Sequence, residues 1–495
     1  MADASTARPR GLRANRPQLL TYPDSLGGTI ADVAALLRGP LDGAFSSVHI
    51  LPPYPSTGDR GFAPVTYDRI DPQFGSWADV EDLARTHGVL LDVMVNHISR
   101  HSPEFRAFER DGLAAPTASL FLTPAKVWTG GDPTAADLAR LFLRRSNGPF
   151  STFTTATGEP VTVWTTFGEG DVSEQVDLDL SAQAGRALVD RWFATLASHG
   201  VSMIRLDAVG YVVKKPGTSC FMVEPEIWSF LDWASAMAAS HGVTLLPEVH
   251  DDHATHDKLT MHGLWTYDFA LPGLVLHALT TGETRRLAAH LAASPERIVT
   301  TLDCHDGIPV LPDLDGILAP GEMRDLAELV IARGGNINRI ISASHAPGGL
   351  DVHQLNITYF SALGLDEERY LAARAIQLFA RGLPQVYYAG LLAGANDEAA
   401  VRATGEGRAI NRHDYRGPEI ETALSRPVVL RLLELIRLRN THPAFDGALT
   451  VTCDERSILM AWANGTSEAV LEVDLLTGAA AVRWSAPDGR EERAA

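Results

Sequence analysis

Val201-Ser-Met-Ile-Arg-Leu-Asp207 is a short run of Val, Met, Ile and Leu that closes on an acid, and its surroundings repeat the pattern. Upstream, residues 184–199 place apolar side chains at helical spacing, and downstream 226–240 do the same before a second apolar run, 244–246, which leads to Glu248. Strand, helix, strand with no hairpin signal between them reads as a parallel βαβ unit. Working toward the amino terminus, 18–22, 47–51 and 89–95 read as strands, with helical patterns at 31–37 and 79–86 between them. Working toward the carboxyl terminus, strands are expected at 265–269, 298–302 and 385–388, and helices at 283–291, 370–379 and 428–439. Eight strands in βα alternation predict a (β/α)8 TIM barrel.

Interruptions of the alternation give the expected domain plan. A tail at 1–17, which lacks the apolar stretch of a secretory signal, precedes a first barrel part at 18–98. A segment at 99–177, rich in Thr, Gly, Pro and Phe, reads as a domain inserted after the third strand, and 178–306 as the middle of the barrel. The stretch 307–364 carries Pro-Gly-Gly at 347–349 and no steady period, so a lid-like insertion is expected there, followed by the last barrel part at 365–446. From 447 to 495 alternating runs with Asn464-Gly465 as a hairpin signal predict a small β domain.

Composition excludes several classes. The 495 residues are 45% hydrophobic, with no apolar run near the roughly 18 residues a membrane helix needs. A formal charge of −19 disfavours nucleic acid and anionic membranes as partners, since both select basic surfaces. Three scattered cysteines, Cys220, Cys304 and Cys453, argue against a disulfide framework or a metal knuckle and point to the cytoplasm.

In a parallel barrel the carboxyl ends of the strands carry the chemistry. Asp207, Glu248 and Asp306 each follow an apolar strand, joined by Asn96-His97 after the third strand, His250 after the fifth and His305 beside Asp306. A lone strand-terminal Asp often caps the next helix, but three acids at strand ends are what cleavage of a glycosidic bond requires. The Arg205-x-Asp207 spacing puts both side chains on one strand face, so the guanidinium is expected to hold the carboxylate ionised and oriented, as a nucleophile needs.

The segments Asp92-Val-Met-Val-Asn-His97, Arg205-Leu-Asp207, Glu248-Val-His250 and His305-Asp306 resemble, in order, the four motifs of the α-amylase superfamily, glycoside hydrolase family 13. Val48-His-Ile-Leu-Pro, Tyr267-Asp-Phe-Ala-Leu-Pro272, Leu302-Asp-Cys-His-Asp-Gly307 and Ile410-Asn-Arg-His413 are similar to its sucrose phosphorylase group. The resemblance runs from about residue 18 to 447. It implies Asp207 as nucleophile, Glu248 as general acid/base and Asp306 as stabiliser of an oxocarbenium-like transition state, with His97, His305 and Arg205 binding sugar hydroxyls. It implies further that Asp59 and Arg412 close the pocket behind one glucosyl unit, with Phe62 and Phe167 as aromatic walls.

A phosphorylase must bind phosphate and exclude water. By the resemblance Arg145 is the phosphate-binding arginine, with His250 and Tyr211 near it, and Asp351 and Gln354 lie in a mobile acceptor loop where Asp351 alternates with Arg145. The chain departs from plain sucrose phosphorylases at Arg144, where they have proline, at His353, where they have tyrosine, and at Phe142, where a hydroxyl is lost. Arg144 and His353 resemble the relatives that cleave sucrose 6'-phosphate, and one charge-assisted contact is worth ~1.5–3 kcal/mol. The implied reaction takes sucrose 6'-phosphate and inorganic phosphate, a co-substrate, to α-glucose 1-phosphate and fructose 6-phosphate. The alternatives are a sucrose or glucosylglycerate phosphorylase, a sucrose or α-glucoside hydrolase, and a non-catalytic barrel. No cofactor or metal is expected, with Asn96 read as a hydrogen-bonding residue.

Overall fold

The structure is a computed structural model that describes residues 13–128, 131–143, 148–168, 174–339, 350–485 and 491–494, with the backbone alone at Asp59 and at 491–494. Eight short strands carry the architecture: β1 (Gln18–Thr21), β2 (Ser47–Ile50), β3 (Gly88–Met94), β4 (Val201–Asp207), β5 (Thr244–Pro247), β6 (Thr266–Asp268), β7 (Ile298–Thr300) and β8 (Leu383–Tyr387). Their order in one sheet is β6-β7-β8-β1-β2-β3-β4-β5, so each strand neighbours the next in chain order and β8 lies beside β1. That is the strand order of a TIM barrel. All seven residues of β3 are buried, as are all of β1, β2 and β8. Cover on both faces is why these strands are unbroken apolar runs and not alternating ones. The chain forms two compact units, one centred on 50–249 and one holding 12–49, 250–339 and 345–495.

In the first unit β3, β4 and β5 pair in parallel, with Asp92 opposite Arg205 and Met94 opposite Asp207. Helix Gln183–Ser198 feeds β4 and buries Leu188, Val189, Trp192, Phe193 and Leu196, while Glu226–Ser240 leads to β5. Residues 99–177 carry an aromatic cluster. Ser102 caps helix Pro103–Asp111, and its Phe105 packs edge-on to Phe121 and Phe153, each 4.9 Å between ring centroids. Such aromatic pairs add ~0.5–1.5 kcal/mol each beyond area burial. Phe153 lies on the hairpin formed by Phe150–Thr154 and Pro160–Trp164.

The second unit holds the parallel run β6-β7-β8-β1. Residues 307–364 are more regular than their sequence suggests. They contain helix Pro320–Ala332 and an antiparallel sheet in which Val352–Asn356 lies between Ile308–Pro309 and Asn336–Arg339, whereas 340–349 lie outside the described residues. The tail reading also fails at its carboxyl end: Arg16 is buried, donates to the Arg439 carbonyl at 3.0 Å and pairs with Asp446 at 2.6 Å. Five antiparallel strands from Ala448–Cys453 to Glu491–Ala494 follow helix Pro427–Thr441, and the Trp462 indole donates to the Phe379 carbonyl at 2.7 Å. Among the described residues no helix is long and apolar enough to cross a membrane.

Candidate active site

The acidic centre of the first unit is built by β3, β4 and the end of β5 around one guanidinium. Arg205 Nη1 donates to Asp92 Oδ1 at 2.5 Å and to Asp207 Oδ1 at 2.9 Å, and Nη2 lies 3.5 Å from Glu248 Oε1. The ladder register dictates this, because Arg205 stands directly opposite Asp92 and two residues before Asp207 on the same strand face. Asp92 is wholly buried and Asp207 and Glu248 are each 15% exposed, so two carboxylates remain reachable from solvent while the third anchors the cation. Arg205 therefore holds the carboxylates in place, as its two-residue spacing from Asp207 predicts. After Asp207 the chain turns through Ala208 at φ 56°, a conformation costly to a residue with a β-carbon. The turn directs the Ala208 amide to Glu248 Oε2 at 3.1 Å.

Aromatic rings border this centre. The Arg205 guanidinium lies 5.8 Å from the Phe62 ring, and the Phe62 carbonyl accepts from His97 Nε2 at 3.0 Å. His97 thus commits one ring nitrogen to backbone. Phe167 meets His97 at 5.2 Å and Tyr211 edge-on at 4.9 Å, and Tyr211 also packs with Phe142 and Phe221. Behind them lies a buried ion pair that sequence reading missed. Lys214 Nζ pairs with Asp177 at 2.9 Å, donates to Asn96 Oδ1 at 3.3 Å and Thr166 Oγ1 at 3.2 Å, and meets the Tyr211 carbonyl. Asn96 is thereby a hydrogen-bonding residue whose oxygen faces an ammonium.

In the second unit Asp306 stands among cations. Arg408 Nη1 lies 2.8 Å from its Oδ1, Arg412 Nη2 3.6 Å and His305 Nε2 4.0 Å. Burial would push this carboxyl up, but Arg408, with His305, Arg412 and His250, holds it well below the ordinary aspartate value. Arg412 is steadied by its Nε bond to the His305 carbonyl at 2.7 Å and sits over the Tyr22 ring. Asn411 donates to the carbonyls of Cys304 and Asp306, fixing the strand-end loop. Arg408, absent from the sequence reading, also donates to Gln354 Oε1 at 3.3 Å. Asp351 is gripped by Arg339 at 2.5 and 2.6 Å, a partner equally unforeseen. His353 Nδ1 is bonded to the Leu311 carbonyl at 2.7 Å, and His250 Nδ1 to Asp313 Oδ2 at 3.0 Å.

Arg144 and Arg145 lie outside the described residues, as does the Asp59 side chain, so the phosphate arginine and the Asp59–Arg412 wall are not located by the structure. Arg408, Lys214 and Asp92 carried no local signal as site residues.

A parallel (β/α)8 sheet with acids after its fourth, fifth and seventh strands defines a glycosidase-type TIM-barrel enzyme. No family model matches the chain. It is 47% identical over 480 residues to the sucrose 6(F)-phosphate phosphorylase of Thermoanaerobacterium thermosaccharolyticum, covering 96% of this chain and 98% of that one. It is 40% identical over 466 residues to the sucrose phosphorylase of Streptococcus mutans, covering 93% and 96%. The crystal structure of a sucrose 6F-phosphate phosphorylase from Thermoanaerobacter thermosaccharolyticum superposes with a TM-score of 0.95 at 45% identity, over 99% of this chain and all of that one. The chain belongs to the sucrose phosphorylase group of glycoside hydrolase family 13.

Proposed function

We propose that this enzyme is a retaining glucosyl phosphorylase that converts sucrose 6'-phosphate and inorganic phosphate to α-D-glucose 1-phosphate and D-fructose 6-phosphate. The observation that carries the chemistry is the Arg205 guanidinium bridging Asp207 and Glu248, which presents a carboxylate nucleophile beside a second carboxyl group. Asp207 attacks the anomeric carbon as Glu248 gives its proton to the departing fructosyl oxygen. The glucosyl–enzyme ester then yields to a phosphate oxygen whose proton returns to Glu248, and two inversions restore the α configuration. Asp306, held ionised by Arg408, offers negative charge to the oxocarbenium-like transition states.

Phe62 and Phe167 form the aromatic walls in this reading, His97, His305 and the Asp59–Arg412 pair hold the glucosyl unit, and Arg145 with Tyr211 and His250 receives phosphate. Arg144 and His353 recognise the fructosyl phosphate, and the relative at 47% identity, by its name, acts on the same ester. No step in this cycle calls for a metal ion. A phosphorylated disaccharide does not cross a bilayer unaided, which supports a cytoplasmic setting.

The test is reverse phosphorolysis from α-glucose 1-phosphate with fructose, fructose 6-phosphate, glycerate or glycerol as acceptor, read as phosphate release. Fructose 6-phosphate is expected to give the highest kcat/KM. A faster reaction with any of the others, or phosphate-independent release of glucose, overturns the assignment.

A further inference from the structure

The loop after β7 ties two histidines at once. The Val310 amide donates to the His353 carbonyl at 2.9 Å, and the Leu311 carbonyl takes the His353 Nδ1 bond at 2.7 Å. Two residues on, Asp313, 1% exposed, takes the His250 Nδ1 bond at 3.0 Å. A carbonyl and a carboxylate can only accept, so both Nδ1 atoms carry hydrogen, and Nε2 is the atom through which each ring would meet a ligand. The His250 ring is further confined by Phe269, stacked at 4.0 Å and 16°, which itself stacks on Tyr267 at 4.8 Å. The two imidazoles stand 5.7 Å apart at 76° to one another.

We propose that Asp313 is a positioning residue for recognition of a phosphoryl group on the acceptor: it orients His250 and, as a buried anion, favours its imidazolium form beside His353. The inference rests on the function proposed above and assigns Asp313 a part in it. The charged and titratable groups around the pair fit this part. His256 Nε2 approaches Asp313 Oδ1 at 4.0 Å, but burial holds His256 below its ordinary value, so it does not supply the compensating proton. Asp268 is already paired with His290 at 2.9 Å, and Asp251 with Thr255 at 2.8 Å. Asp306 lies within electrostatic reach of His250 and is itself balanced by Arg408 and Arg412. The proton that Asp313 stabilises is therefore the one on His250. A charged imidazole rewards a phosphoryl dianion strongly and a neutral hydroxymethyl group little.

Asp313→Asn keeps an oxygen for His250 Nδ1 and removes the charge. With α-glucose 1-phosphate as donor, KM for fructose 6-phosphate should rise about tenfold while KM for fructose changes less than threefold, and any fall in kcat, which reports the His250 contact to inorganic phosphate, should be equal with both acceptors. The KM ratio of variant to wild type should grow as pH rises through the range where an ordinary histidine loses its proton. Equal rises for both acceptors, or no rise for either, overturn the proposal. If Asp313→Asn does not fold, Asp313→Ser, smaller and also uncharged, carries the same comparison. The wild type's own preference between the two acceptors, measured first, reports on the substrate assignment alone, so failure of one reading is distinct from failure of the other.

Discussion

Replacing Lys214 with methionine removes an ammonium from a nest of four oxygens. Lys214 is 2% exposed and its partner Asp177 wholly buried, so the lost cation leaves an ionised carboxylate without counter-charge. Breaking a buried pair from one side costs about 3–5 kcal/mol. Asp177 keeps the Thr166 amide at 2.9 Å and the Thr166 hydroxyl at 2.5 Å, which places the expected cost near the lower bound, about 3 kcal/mol. Against a total stability on the order of 5–15 kcal/mol that is a large fraction. Urea unfolding followed by circular dichroism should show the midpoint falling sharply at an unchanged slope. The double substitution Lys214→Met with Asp177→Asn should recover most of the loss, because no charge is then stranded. A single variant within about 1 kcal/mol of wild type, or a double variant no better than the single, would refute the reasoning.

Three other outcomes follow from the same physics. Arg408→Gln removes the main cation holding Asp306 ionised, and a charge-assisted contact of about 1.5–3 kcal/mol corresponds to a loss of roughly 10–100-fold in kcat/KM by steady-state phosphorolysis, with the fold retained by circular dichroism. Burial lowers His413, but its bonds to Asp397 and Glu419 prevail and raise it above the ordinary histidine value. A raised folded value means stability present below the unfolded value and lost as pH climbs through the folded one, so His413→Gln should lower Tm at about pH 5.5 and scarcely at all at about pH 9. Finally, Arg144→Pro with His353→Tyr should move acceptor preference from fructose 6-phosphate toward fructose, measured as the ratio of kcat/KM values, and an unmoved ratio removes both residues from the specificity account.

The sequence was most legible where one local signal sufficed. Helix Glu226–Ser240 was read to its termini, and β4 to within one residue, because apolar spacing and a terminal acid mark them. Helix Leu271–Thr281 left no such mark: its residues from Leu271 to Leu279 are all buried, so it has no polar face and no helical period to detect. Helix Pro320–Ala332 was missed beside the Gly- and Pro-rich stretch that follows it. The acids were found because they follow strands, but their controllers were not. Lys214 meets Asp177 across 37 residues of chain and Arg408 meets Asp306 across 102, and no local period encodes an encounter at such separation. Arg205 was placed beside Asp207 by two-residue alternation alone, whereas its bond to Asp92 required the register between β3 and β4.

The account stands most directly on the ester between Asp207 and glucose. A Glu248→Gln variant exposed to α-glucosyl fluoride, whose leaving group needs no proton from residue 248, should accumulate a protein one hexosyl unit heavier, with the added mass on the peptide that contains Asp207. An unmodified protein under turnover conditions, a label on another residue, or a wild-type product of β configuration would contradict it.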